Sequence, residues 1–127
     1  IFPKWKFTAP DTVVANGLHG ALLIGERHSI LPRKTEWQHE LETFEVELYC
    51  NGKLSQRGGG AHVLDSPLLA LRHLVELLAN DQHNPPLRAG EIISTGTLTL
   101  AMPVSLGESW TTKVSGIPFE NISLGFE

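Results

Sequence analysis

The chain has 127 residues, enough for one domain with its own core, and its 41% hydrophobic and 19% charged residues are ordinary for a globular protein. A net charge of −4 gives no clustered positive face of the kind nucleic acid or an anionic membrane attracts. No apolar run approaches the ~20 residues that span a bilayer, no signal segment opens the chain, and the lone Cys50 cannot close an internal disulfide, so a cytoplasmic location without membrane or nucleic-acid partners is expected.

Residues 1–10 (IFPKWKFTAP) hold two prolines and read as an incoming extended segment. Starting on Ile1 rather than Met suggests a processed chain or a fragment. Val13 to Ile24 is apolar and Gly-rich, with Ala21–Ile24 a short buried-strand candidate, and polar Glu26 to Gln38 reads as a surface loop with a short extended piece. Leu41 to Tyr49 alternates apolar and charged residues, the period of a half-buried strand. Asn51-Gly52 then signals a type I′ hairpin with Lys53 to Arg57 returning.

The spacing predicts a helix over 66–80. Ser66 can cap it, Pro67 suits its first position, and Leu68, Leu71, Leu74, Val75 and Leu78 form one apolar stripe. Beyond it, Glu91–Ser94, Thr97–Leu100, Ser109–Val114 and Ile122–Phe126 are short strand candidates. One main helix among several strands, without βαβ alternation, predicts a mostly-β (α+β) fold built on a mixed or antiparallel sheet.

Several residues invite chemistry. Glu45 and Glu47 share a strand face about 7 Å apart, close enough to hold one metal ion, but alternation with Phe44, Val46 and Leu48 makes them better read as the solvent side of an amphipathic strand. The six histidines lack zinc-site spacing. His19 sits in Asn16-Gly17-Leu18-His19-Gly20, where two glycines let backbone approach a ligand; a loop histidine bonded to a carbonyl is the alternative. Gly58-Gly59-Gly60 lacks dinucleotide spacing and reads as a bulge or tight bend feeding the helix. Cys50 has no identifiable base nearby, and the Asn121-Ile122-Ser123 sequon is expected to be silent. Thr95-Gly96-Thr97 exposes backbone N–H groups and two hydroxyls that can hold a carboxylate or enolate oxygen, or else forms a plain turn.

Taken in order, Asp11-Thr12-Val13…Asn16, Asn51-Gly52, Pro67-Leu68…Ala70-Leu71 and Leu87-Arg88-Ala89-Gly90-Glu91…Thr95-Gly96-Thr97-Leu98-Thr99 resemble the C-terminal part of the 2-keto-4-pentenoate hydratase group. That group lies in the fumarylacetoacetate hydrolase superfamily, and the resemblance runs from Asp11 to the C-terminus. It implies a mixed β-roll and a lyase (hydratase or decarboxylase) acting on small 2-oxo or 2-hydroxydienoate acids of aromatic catabolism. It also implies Mg²⁺ or Mn²⁺, which chelates the substrate's carboxylate and 2-oxo oxygens and stabilises the enolate.

Carried onto this chain, the resemblance makes Lys6 and Asn16 catalytic candidates, and His19 joins them on the strength of its glycine-flanked loop. Asp11, Thr12, Gly17, Thr95, Gly96 and Thr97 become candidates for holding a small carboxylic-acid substrate. Departures matter as much. The family's metal-binding Glu-x-Glu would precede Ile1, so no metal ligands and no tight metal binding are expected of residues 1–127. Thr8 occupies the family lysine position, with Lys6 two residues earlier; Leu18 stands where the family has Ser, and Ala15 where an acid is common. The expectation is a single domain, the C-terminal fragment of a longer hydratase-like chain. The alternatives are a non-catalytic β-rich module that has lost its metal site, or a decarboxylase or acylpyruvate hydrolase of the same superfamily. An apolar C-terminal end (Ile117-Pro118-Phe119, Leu124, Phe126) would permit a homo-oligomer.

Overall fold

A computed structural model describes residues 2–127. Its centre is a four-stranded sheet of β1 (Glu45–Cys50), β2 (Lys53–Gly59), β3 (Ser109–Ser115) and β4 (Ser123–Gly125), ordered β2-β1-β3-β4 with every pair antiparallel. Three α-helices accompany it: α1 (Ala9–Val14), α2 (Lys34–Thr43) and α3 (Pro67–Ala79).

The hairpin forms where Asn51-Gly52 predicts it, with both residues at positive φ (49° and 75°) as a type I′ turn requires. The Asn51 side chain also accepts the Ser109 N–H at 2.9 Å, tying this turn to the start of β3. The register places Val46, Leu48 and Cys50 beside Val114, Thr112 and Trp110 on one inner face. Glu45, Glu47 and Tyr49 lie on the other, as the alternation predicts. α3 begins at the expected cap: Ser66 is buried and its hydroxyl accepts the Leu68 N–H at 3.3 Å, with Pro67 opening the helix. The core gathers Trp37, Phe44 and Ile117, flanked by Leu41, Leu98 and Val114.

Several expectations need correction. The α+β class holds, but the described residues form three α-helices rather than one main helix, so the fold is not mostly β. Both α1 and α2 are unexpected; α2 covers the end of the segment read as a polar loop (34–38) and the first residues of the expected strand (41–43), so β1 starts at Glu45. Its apolar face consists of Trp37 and Leu41 one turn apart, too short a stripe to register in a polar sequence. Ala21–Ile24 forms no buried strand, and Leu22, Leu23 and Ile24 are exposed. Residues 91–94 and 97–100 form no strands; the Glu91 carboxylate instead accepts the Arg88 N–H at 2.9 Å, closing a turn. The incoming segment is not extended throughout, because Pro3–Trp5 makes a short 3-10 turn and α1 begins at Ala9; Ile1 lies outside the described residues.

Of the two readings of Gly58-Gly59-Gly60, the tight bend feeding the helix is the one found, not the bulge. β2 runs through Gly59, a 3-10 turn (Gly60–His62) follows, and the register shift sits at Leu48/Tyr49. Gly60 is required sterically, since a Cβ there would strike the Leu41 carbonyl oxygen. Ile117, placed by sequence on an association surface, belongs to the core.

Candidate functional site

The inner face of the sheet is incompletely filled. One cavity of about 340 Å³ is lined by Val46 and Leu48 of β1, Thr112 of β3, and the Gly96-Thr97-Leu98-Thr99 turn. A second, also about 340 Å³, continues past Val46, Leu98 and Thr112 to Phe44, Val114, Phe119 and Ile122, with Glu26 and Glu120 on its wall. The first suits a small acid, with an aliphatic floor and hydroxyl-bearing walls at a volume within the usual ligand range.

Local chemistry shapes the turn. Gly96 adopts φ 115°, a conformation side chains avoid. The Thr97 hydroxyl donates to the Thr99 carbonyl at 2.7 Å, so it presents only lone pairs to a ligand unless it rotates. Thr112 accepts the Ile122 N–H at 2.9 Å, joining β3 to the chain entering β4. Thr95 is half-buried beside the turn and does not line this cavity. Sequence reasoning missed Thr99 and Thr112; the inward alternation of Trp110, Thr112 and Val114 was the signal for the latter.

The N-terminal candidates fall elsewhere. Thr8 and Asp11 form a capping box on α1, in which one Asp11 carboxylate oxygen accepts both the Thr8 N–H and its hydroxyl at 2.8 Å. Those two donors hold the Asp11 carboxyl below its ordinary pKa, the backbone N–H contributing most. Asp11 therefore builds the helix start. Thr12 follows it in α1, Asn16 and Gly17 turn at φ 52° and 69°, and Lys6 and His19 are exposed. Among the described residues, no hydrogen bond or cavity links Lys6, Asp11, Thr12, Asn16, Gly17 or His19 to Thr95-Gly96-Thr97.

On the outer face Glu47 bonds the Tyr49 hydroxyl at 2.7 Å and Arg57 at 2.9–3.0 Å. Tyr49 above all, then Arg57, lowers the Glu47 pKa. The Lys113 ammonium lies 4.8 Å from the centre of the Tyr49 ring. Glu47 is thus engaged in a cross-strand ladder. Beside it, a cavity of about 480 Å³ is bounded by Glu42, Glu45, Glu47, Arg57, Gly58 and His62. The described residues bring together no group of three or more His, Cys, Asp or Glu side chains able to hold a metal ion. Burial raises the Cys50 thiol pKa, with nearby Glu108 adding to it, so this thiol is not activated.

No family model matches the chain. Relatives do. The chain is 36% identical over 116 residues to the 4-oxalocrotonate decarboxylase of Pseudomonas putida, spanning 91% of this chain and 41% of that protein. Superposed on the solved 4-oxalocrotonate decarboxylase of Pseudomonas putida G7, complexed with magnesium and adipate, it gives a TM-score of 0.74 at 30% identity, over 99% of this chain and 44% of that one. The chain is thus similar, over about nine-tenths of its own length, to the decarboxylase and hydratase group of the fumarylacetoacetate hydrolase superfamily. Within that group, 2-keto-4-pentenoate hydratase 2 of Dechloromonas aromatica is 28% identical over 114 residues, 90% of this chain and 41% of the hydratase. A second decarboxylase structure, complexed with calcium and acetate, matches with a TM-score of 0.69 at 31% identity over 93% of this chain and 42% of its own. The chain therefore spans 29–41% of the length of the curated relatives it matches.

Proposed function

We propose that this chain is the acid-binding part of a lyase, of hydratase or decarboxylase type, acting on small 2-oxo or 2-hydroxydienoate acids of aromatic catabolism. The observation that carries the reading is the cavity between the Val46–Leu48 floor and the Gly96–Thr99 turn. Its aliphatic floor matches the hydrocarbon part of such an acid. Its backbone N–H groups, and the Thr97 hydroxyl once it rotates off the Thr99 carbonyl, match the carboxylate, the same class of ligand as the adipate and acetate of the solved decarboxylase complexes.

In this reading Lys6, Asn16 and His19 handle protons and Asp11 sets the α1 start, with Thr12 and Gly17 beside them. The four-stranded sheet then forms part of the superfamily's mixed β-roll, in a longer cytoplasmic protein. The residues present do not fit the family's divalent ion, because no group of three or more ligating side chains converges among those described, and no step is assigned to it.

Calorimetric titration of the chain with adipate and with a short 2-oxo acid tests this. Saturable binding that weakens about tenfold in Thr97→Val, roughly the worth of one hydrogen bond, supports the reading. Undiminished binding in that variant removes Thr97 from the site, and absence of binding to the unaltered chain overturns the proposal.

A further inference from the structure

The Gly96–Thr99 turn belongs to no strand, yet two contacts from one stretch of chain meet it at a single atom. A Cβ at Gly58 would strike the Leu98 carbonyl oxygen and come within 2.7 Å of the carbonyl carbon, so β2 and the turn touch backbone to backbone. Four residues later, His62 Nδ1 lies 3.3 Å from that same oxygen. A carbonyl oxygen only accepts, so a hydrogen bond here requires the tautomer with its proton on Nδ1. Gly58 is the register partner of Val46, whose side chain forms part of the cavity floor.

We propose that His62 is a positioning residue. By holding the Leu98 carbonyl against Gly58 it sets the spacing between the threonine wall and the Val46–Leu48 floor, and with it the affinity for a small dicarboxylic or 2-oxo acid. This rests on the reading of that cavity as the acid site. The arrangement is selective in geometry. An Asn side chain carries its N–H where His carries Nδ1–H, whereas Gln carries it where His carries Nε2. His62 is exposed, so replacing it removes little packing.

The experiment compares His62→Ala, His62→Gln and His62→Asn in the 127-residue chain, using adipate as the probe. Three readouts are taken: adipate affinity, amide mobility of Gly96–Thr99 by NMR relaxation, and thermal midpoint. The Ala and Gln variants should bind adipate about fivefold more weakly, as expected for one lost hydrogen bond, and should show a looser turn. Their midpoints should stay within about 2 °C of the unaltered chain. Asn should restore affinity and order together. Unchanged mobility in His62→Ala, failure of Asn to rescue, or a ring spectrum of the unaltered chain showing Nδ1 without its proton would each overturn the inference. If the unaltered chain binds no adipate, the acid-site reading falls, and the mobility comparison still decides whether His62 holds the turn.

Discussion

From about Leu23 onward the chain packs on itself, with His28 already stacked near Trp37 and Phe119, whereas residues 2–20 hardly do. Trp37 and Phe44 retain 5% exposure each, buried by residues as distant in sequence as Ile117 and Val114. Val13 and Val14 are 79% and 88% exposed, and the aromatic contacts of Phe2 and Trp5 are with Phe7, within the same segment. Both regions carry family motifs. The body turns its motifs into burial, whereas the arm turns its motif into local hydrogen bonds, a capping box and 3-10 turns. Local bonds fix conformation without apolar gain, so such a segment opens at little cost and can be recruited to a surface later.

The largest effects should separate the two regions. Trp37→Ala should destabilise the body by about 3–5 kcal/mol in urea denaturation, through the cavity it leaves. A loss below about 1 kcal/mol would mean that α2 does not anchor the core. Ser66→Ala, which removes the buried α3 cap, should cost about 1 kcal/mol. Val14→Ala in the arm should fall within about 0.5 kcal/mol of zero, because exposed side chains lose little. A clearly larger cost would show that the arm packs on the body in solution.

The smallest effects are in acid. Tyr49 first and Arg57 second depress the Glu47 pKa in the folded chain, so their stabilisation is present above the unfolded carboxylate value of ~4.3 and is lost as pH falls through the lowered folded one. Tyr49→Phe should raise the Glu47 NMR titration midpoint toward the ordinary value. An unmoved midpoint would contradict the hydroxyl's leading role. Asp11 follows the same sign within the arm, so acid should fray α1 while leaving the sheet's inner face intact.

Local chemistry was legible in the sequence. The Asn51-Gly52 turn, the Ser66–Pro67 helix start and the alternation of β1 each follow from short-range rules, and each appears in place. What escaped depended on distance. Two apolar residues, Trp37 and Leu41, mark α2 only because Phe44 and Ile117 meet them. The apolar run Ala21–Ile24 had strand composition without a neighbouring strand to pair with, and it remains exposed. For the candidate cavity, residue type singled out Gly96 and Thr97, which line it, together with Thr95, which does not. Thr112, Val46 and the His62–Leu98 contact join it only through the register of β1 and β3 and the fold-back after β2.

The most direct test of the acid-site account is a residue-resolved NMR titration of the chain with adipate. The account predicts shifts concentrated on Gly96, Thr97, Thr99, Thr112 and the Val46 and Leu48 methyl groups, saturating together on one curve. Shifts confined to the outer face around Glu47 and Arg57, or no saturable shift at all, would contradict it.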